Sequence, residues 1–122
     1  MGQSRAVLRA ELAMTGAVTV LVFVVEGFHG IALWNTAPLI LAAAGVAVLR
    51  GDVASRELRA GGFTFWASQV VLVGLFHVAW HLDWGAMATG SSTAGLIFLV
   101  APIYTVGAGV IAAVLTIVAS LE

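Results

Sequence analysis

Five side chains pose the chemical question in this sequence: Glu26, His29, His77, His81 and Asp83, set within or just beyond long apolar runs. Glu26 and His29 stand at i, i+3 and His77 and His81 at i, i+4, so on a helix each pair shares one face. Neutral imidazole is a good ligand for Zn, Cu, Fe or Ni, and a carboxylate would complete a tetrahedral set or leave one position open. Glu26, His29, His77 and His81 are therefore candidate metal ligands. His29 and His77 by themselves would suit the two axial positions of a haem. The same groups would also relay a proton, since imidazole changes charge near neutral pH. The plainest alternative is a buried polar pair that only holds helices together. Glu26 and His29 resemble half of the di-iron carboxylate motif, but the second Glu-x-x-His and the additional Glu residues of that site are missing. Phe76 and Trp80 beside His77 would stack on a quinone or porphyrin, or simply pack in the core or against lipid.

The background of these residues decides how they are read. The chain has 122 residues, of which 61% are hydrophobic and 9% charged, with a mean hydropathy of +1.10. Such a composition cannot coat a water-soluble surface. With no Cys, disulfides, thiolate metal sites and thiol catalysis are excluded. Five Arg and no Lys are too few to track a phosphate backbone, so nucleic acid is not an expected partner. The start, Met1 to Ala6, lacks the Ser or Thr that myristoylation requires. No small-x-small cleavage site follows the first apolar run, so it reads as an uncleaved helix. No phosphate-binding Gly loop, nucleophile elbow or Ser-His-Asp order appears, and a stand-alone enzyme is not expected.

A bilayer core of roughly 30 Å needs about 20 apolar residues per helix. Polar breaks divide the chain into four spans within a single transmembrane domain, expected at about 12–33, 36–49, 63–82 and 92–121. The second, at about 14 residues, is short and would thin the bilayer, tilt little, or borrow Trp34 and Asn35 as its first turn. All five cations, Arg5, Arg9, Arg50, Arg56 and Arg59, precede the first span or lie between the second and third. The positive-inside rule then places both termini in the cytoplasm, as for a protein of a prokaryotic cytoplasmic membrane. Trp34 and Trp84 would mark the outer interface and Trp66 the inner one. The stretch Asp52 to Arg59 reads as a charged loop or a short surface helix.

The chain also matches itself. Val25, Phe28 and His29 align with Val73, Phe76 and His77, and Ala37 to Val46 aligns with Ala101 to Val110, Ala-Pro at the start and Ala-Gly-Val at the end. The expected fold is thus all-α: a four-transmembrane-helix bundle made of two tandem parallel helical hairpins, related by a pseudo-two-fold along the membrane normal. Ala43, Gly45, Ala47, Gly107, Gly109 and Ala113 are small residues that would allow close helix approach at a bundle seam or homodimer contact. Pro38 is expected in the first turn of its helix, and Pro102 inside the fourth, where it frees the carbonyl of Phe98.

Counting about 1.5 Å per residue from the middle of each span puts Glu26 and His77 roughly 6 Å above the midplane, and His29 and His81 roughly 10 to 12 Å above it. A carboxylate in hydrocarbon costs on the order of 2.5 to 3.5 kcal/mol, so it should face protein or water and be paired. Three functions fit: a small membrane subunit binding a transition metal or haem in a redox complex, a repeat-built transporter or channel with Glu26 and His as a proton relay, and an accessory subunit of a larger complex. Lipid, further membrane subunits or a second copy are the expected partners.

Overall fold

The computed structural model describes residues 2–51 and 54–122. Met1, Asp52 and Val53 lie outside the described residues, and with them the first residue of the myristoylation pattern and the start of the Asp52 to Arg59 stretch. Four α-helices account for most of the rest: α1 (Gly2–Glu26), α2 (Gly30–Leu49), α3 (Arg56–His81) and α4 (Ile97–Ala119), with short 3-10 turns at Trp84–Ala86 and Ala94–Leu96. There is no strand among the described residues. All four helices are long and apolar enough to cross a membrane. Large apolar side chains such as Val24, Ile40, Val71 and Leu115 point outward, which suits a lipid environment and would be untenable in water.

Helix boundaries follow local chemistry, and several depart from the sequence expectation. α1 stops at Glu26 rather than near Leu33, because Gly27 adopts φ +85° and its N–H closes on the Phe23 carbonyl at 2.9 Å, a left-handed termination that glycine allows. His29 then takes an extended conformation at the N-cap position of α2, without a capping bond from its side chain, and α2 begins at Gly30 and runs for 20 residues. The second helix is therefore not short. Pro38 sits in its interior, not its first turn. Near it, the Asn35 amide donates to the Ile31 carbonyl at 3.1 Å and the Thr36 hydroxyl to the Leu33 carbonyl at 2.7 Å, side-chain bonds back onto carbonyls three or four residues earlier in the helix. α3 starts earlier than expected, since the Ser55 hydroxyl accepts from Leu58 N–H at 3.2 Å and caps it. Arg56 to Arg59 consequently form the first turn of α3 and not a separate surface helix.

α2 and α3 each pack against all three other helices, and α1 and α4 flank them. The interior is an apolar cluster of Val22 from α1, Ala32, Leu39, Ala42 and Val46 from α2, and Trp66, Val70 and Val73 from α3. Their 3- and 4-residue spacings form one stripe per helix. Trp66 belongs to this core instead of an interfacial belt: it is 6% exposed, and its indole N–H donates to the Thr15 hydroxyl at 2.9 Å. Trp34 lies at the surface, with its indole N–H on the Leu99 carbonyl of α4 at 2.9 Å. Of the small residues, Gly109 faces α3 against Gln69 and Phe65, whereas Gly45 and Gly107 face open space. The expected hairpins, α1 with α2 and α3 with α4, are in contact. The self-match does not extend to local conformation, because Phe28 and His29 lie in the α1–α2 break while Phe76 and His77 lie within α3.

Candidate functional site: a buried carboxylate–imidazole pair

On α1 the residues Glu11, Thr15, Val22 and Glu26 recur at helical spacing and share one inward face. On α3 the inward stripe is Trp66, Gln69, Val70, Val73 and His77. Where these stripes meet near the end of the bundle, Glu26 Oε1 lies 2.5 Å from His77 Nε2, with side-chain exposures of 3% and 1%. His77 Nδ1 lies 2.7 Å from the Val73 carbonyl one turn back. The other carboxylate oxygen, Oε2, accepts from the Asn35 amide at 3.3 Å. Phe76 meets the His77 ring edge-on at 5.3 Å between centroids, and Phe98 of α4 covers it at 5.6 Å.

These contacts determine the proton inventory. A carbonyl oxygen only accepts, so Nδ1 carries a hydrogen and donates it to Val73. At 2.5 Å one hydrogen must also lie between Nε2 and Oε1, because two lone pairs at that distance would repel. Whether that proton is assigned to the imidazole or to the carboxyl, the pair is neutral overall, and neutrality is what makes its burial tolerable.

Of the four sequence candidates, the structure brings together Glu26 and His77. His29 is exposed, and its Nε2 donates to the Glu26 backbone carbonyl at 2.8 Å. The helix break at Gly27 takes it off the face of α1 that carries the Glu26 side chain. His81 is exposed at the last turn of α3. Among the described residues no group of three or more His, Asp or Glu is gathered closely enough to hold a metal ion. Both His77 nitrogens are engaged, so ligation of a metal or haem iron would require breaking one of these bonds. The site also lies further from the helix centres than the sequence count suggested. At about 1.5 Å per residue, Glu26 is about 18 Å from the middle of α1 and His77 about 13 Å from that of α3.

A cavity of about 190 Å³ adjoins the pair, lined by Val25, Glu26, His29, Ile31, Trp80, Gly95 and Phe98. Beyond the pair, towards the Arg-bearing end, the apolar core closes the interior. That other end has its own ion pair, which the sequence reading passed over: Arg50 Nε donates to Glu11 Oε2 at 2.9 Å and Nη2 donates to Oε1. Glu11 is 3% exposed and Arg50 24%. The hydrogen bonds from Arg50 to Glu11 hold its guanidinium more firmly in the charged form. The helical spacing of Glu11, Thr15 and Glu26 is the signal that could have revealed Glu11. Asn35 could have been found as an amide within an apolar run, nine residues after Glu26. Asp83, the fifth ionisable residue, is taken up by its own loop, accepting from Ala88 N–H at 2.7 Å and from the Thr89 hydroxyl at 2.5 Å.

Compared with protein-family models, curated proteins and solved structures, the chain has no match. Its class therefore rests on its own architecture: four membrane-length helices around a buried carboxylate–imidazole pair, the build of a small integral membrane protein.

Proposed function

We propose that this chain is a small proton-exchanging membrane protein, in which the Glu26–His77 pair holds one proton and trades it with the medium at one end of the bundle, as the coupling site of a small transporter. The observation that carries this reading is the 2.5 Å contact between two nearly fully buried titratable groups whose other atoms are fixed by Val73 and Asn35. A purely structural tie would not need a titratable pair. A pair that is neutral with one shared proton and charged without it is a proton-binding site by construction. The adjoining cavity supports access from its own side, and the apolar core supports occlusion from the other.

The test uses the full chain in lipid nanodiscs with 15N-labelled histidine, titrated across the range of about pH 5 to 8 in which histidine ordinarily changes charge. A single proton step sensed at His77 and missing in Glu26→Gln is expected. If the His77 signal is the same in Glu26→Gln, the pair does not hold a shared proton and the reading fails.

The same proposal includes topology: both termini and the Arg50 to Arg59 segment in the cytoplasm, with the pair in the outer half, supported by the one-sided placement of all five Arg. Cysteines introduced at Ser55 and Ser91 should label from opposite sides of the membrane. Labelling from one side would refute it.

A further inference from the structure

The cavity beside Glu26 has a composition that the pair does not by itself explain. It combines a carboxylate-bearing residue with two aromatic side chains, Trp80 and Phe98, whose rings meet edge-to-face at 4.6 Å. Its volume of about 190 Å³ is of the order of the roughly 150 Å³ engineered cavity that takes up benzene, so it suits a small occupant. Aromatic faces attract cations through their quadrupole, and most effectively where water is excluded.

The charge distribution favours a cation at this end. The titratable residues lining the cavity are Glu26 from α1 and His29 at the start of α2, while the α3 and α4 residues that line it, Trp80 and Phe98, are not titratable; His77 is paired with Glu26, His81 ends α3, and Asp83 follows in the loop. All five Arg lie at the other end of the bundle or in its connections. Once the shared proton has left and with the histidines neutral, Glu26 is the charge in the cavity lining, and a negative site at this end, away from the five Arg, attracts the opposite ion.

We infer that this cavity is a binding site for a small alkylated ammonium ion, held against Trp80 and Phe98 with Glu26 as its counter-charge, and that the ion competes with the shared proton of the Glu26–His77 pair. The inference rests on the proton-exchange reading and names what the proton is exchanged for. While the proton is present the pair is neutral and the cavity has little to offer a cation. When the proton leaves, Glu26 retains a full charge that the Asn35 amide only partly offsets, and an ammonium ion in the cavity restores neutrality. By linkage, the cation must then promote release of the proton as strongly as the proton opposes the cation. An aromatic wall selects an alkylated ammonium over Na⁺, whose hydration shell neither ring can replace.

The experiment is calorimetric titration of the full chain in nanodiscs with tetramethylammonium chloride, against NaCl at the same ionic strength, in buffers of different ionisation enthalpy. Tetramethylammonium is expected to bind more tightly at higher pH and to release a fraction of a proton per ion where both states of the pair are populated, rising towards one as the free pair becomes fully protonated. Trp80→Ala should weaken binding about three- to thirty-fold, the span of a cation–π contact from exposed to desolvated sites. Trp80→Phe, which keeps a ring, should retain most of it. Glu26→Gln should weaken it about ten- to one-hundred-fold, the value of one charge-assisted contact, and remove its pH dependence. Absence of heat beyond that of NaCl, binding without proton release, or unchanged binding in Trp80→Ala would each overturn the inference. If the His77 proton step persists while tetramethylammonium does not bind, only the cation site fails. If the step itself is missing, the proton-exchange reading fails with it.

Discussion

The Glu26 carboxylate and the His77 imidazole meet at 2.5 Å across 51 residues of chain, and each owes its burial to the other. Neither would be tolerated alone in that position, since a stranded buried charge or an unpaired ring nitrogen carries its full desolvation cost. The pair therefore ties α1 to α3.

Removing His77 should expose this dependence. His77→Ala is expected to destabilise the bundle by about 1 to 3 kcal/mol, the cost of a stranded buried partner. Glu26→Gln, whose amide can still donate to the ring and accept from Asn35, should cost less. Denaturant unfolding in detergent measures both. Equal losses would show that an amide cannot stand in for the carboxylate in this contact and would contradict the expectation.

The Glu11–Arg50 pair makes a different prediction, because one partner is buried and the other a quarter exposed. Arg50→Leu takes from Glu11 the guanidinium that pairs with it and should destabilise, by less than the about 3 to 5 kcal/mol of a fully buried pair. Adding Glu11→Leu should recover much of that loss, since apolar replacement of both members is often neutral. A double variant less stable than the single would contradict this account.

Gly109 is a packing constraint. A Cβ there would overlap Gln69 Nε2 and lie 2.9 Å from Phe65 Cδ2, and the Gln69 amide is held on the Thr105 carbonyl at 2.8 Å. Gly109→Ala should cost about 1 to 3 kcal/mol through overpacking, whereas Gly107→Ala, with nothing within 4 Å, should be close to neutral. Comparing the two unfolding midpoints tests the α3–α4 contact.

The Asp83 loop has a defined pH response. Hydrogen bonds from the Thr89 hydroxyl, and next from Ala88 N–H, hold the Asp83 carboxyl below its ordinary value. A depressed folded value means that the stabilisation is complete above the unfolded Asp value of about 3.9 and is lost as pH falls through the lower folded one. Amide exchange at Ala88 and Thr89 should accelerate under acid, and Thr89→Val should move the onset to higher pH. Exchange independent of pH, after correction for its intrinsic rate, would refute this.

Much of the architecture is written in the sequence by itself. Four apolar segments, the second read shorter than the helix it forms, and the one-sided Arg distribution are linear patterns that hydropathy and charge placement reveal. That Glu26 needed a partner also followed, from the cost of an unpaired carboxylate among apolar residues. Where α1 ends did not follow. Glycine at position 27 is compatible with a continuing helix, and only the backbone geometry shows that it turns left-handed there, which detaches His29 from the face carrying Glu26 and lengthens α2. Partner choice was likewise beyond the linear pattern. His77 rather than His29 reaches Glu26, Asn35 comes in from α2, and Arg50 closes on Glu11, because side-chain contacts depend on helix rotation and axial offset, which are set jointly by packing of all four helices. A sequence with three histidines and a glutamate specifies the chemistry available; the tertiary structure decided that Glu26 and His77 form a buried hydrogen-bonded pair, since the packing of α1 against α3 sets a donor and an acceptor 2.5 Å apart.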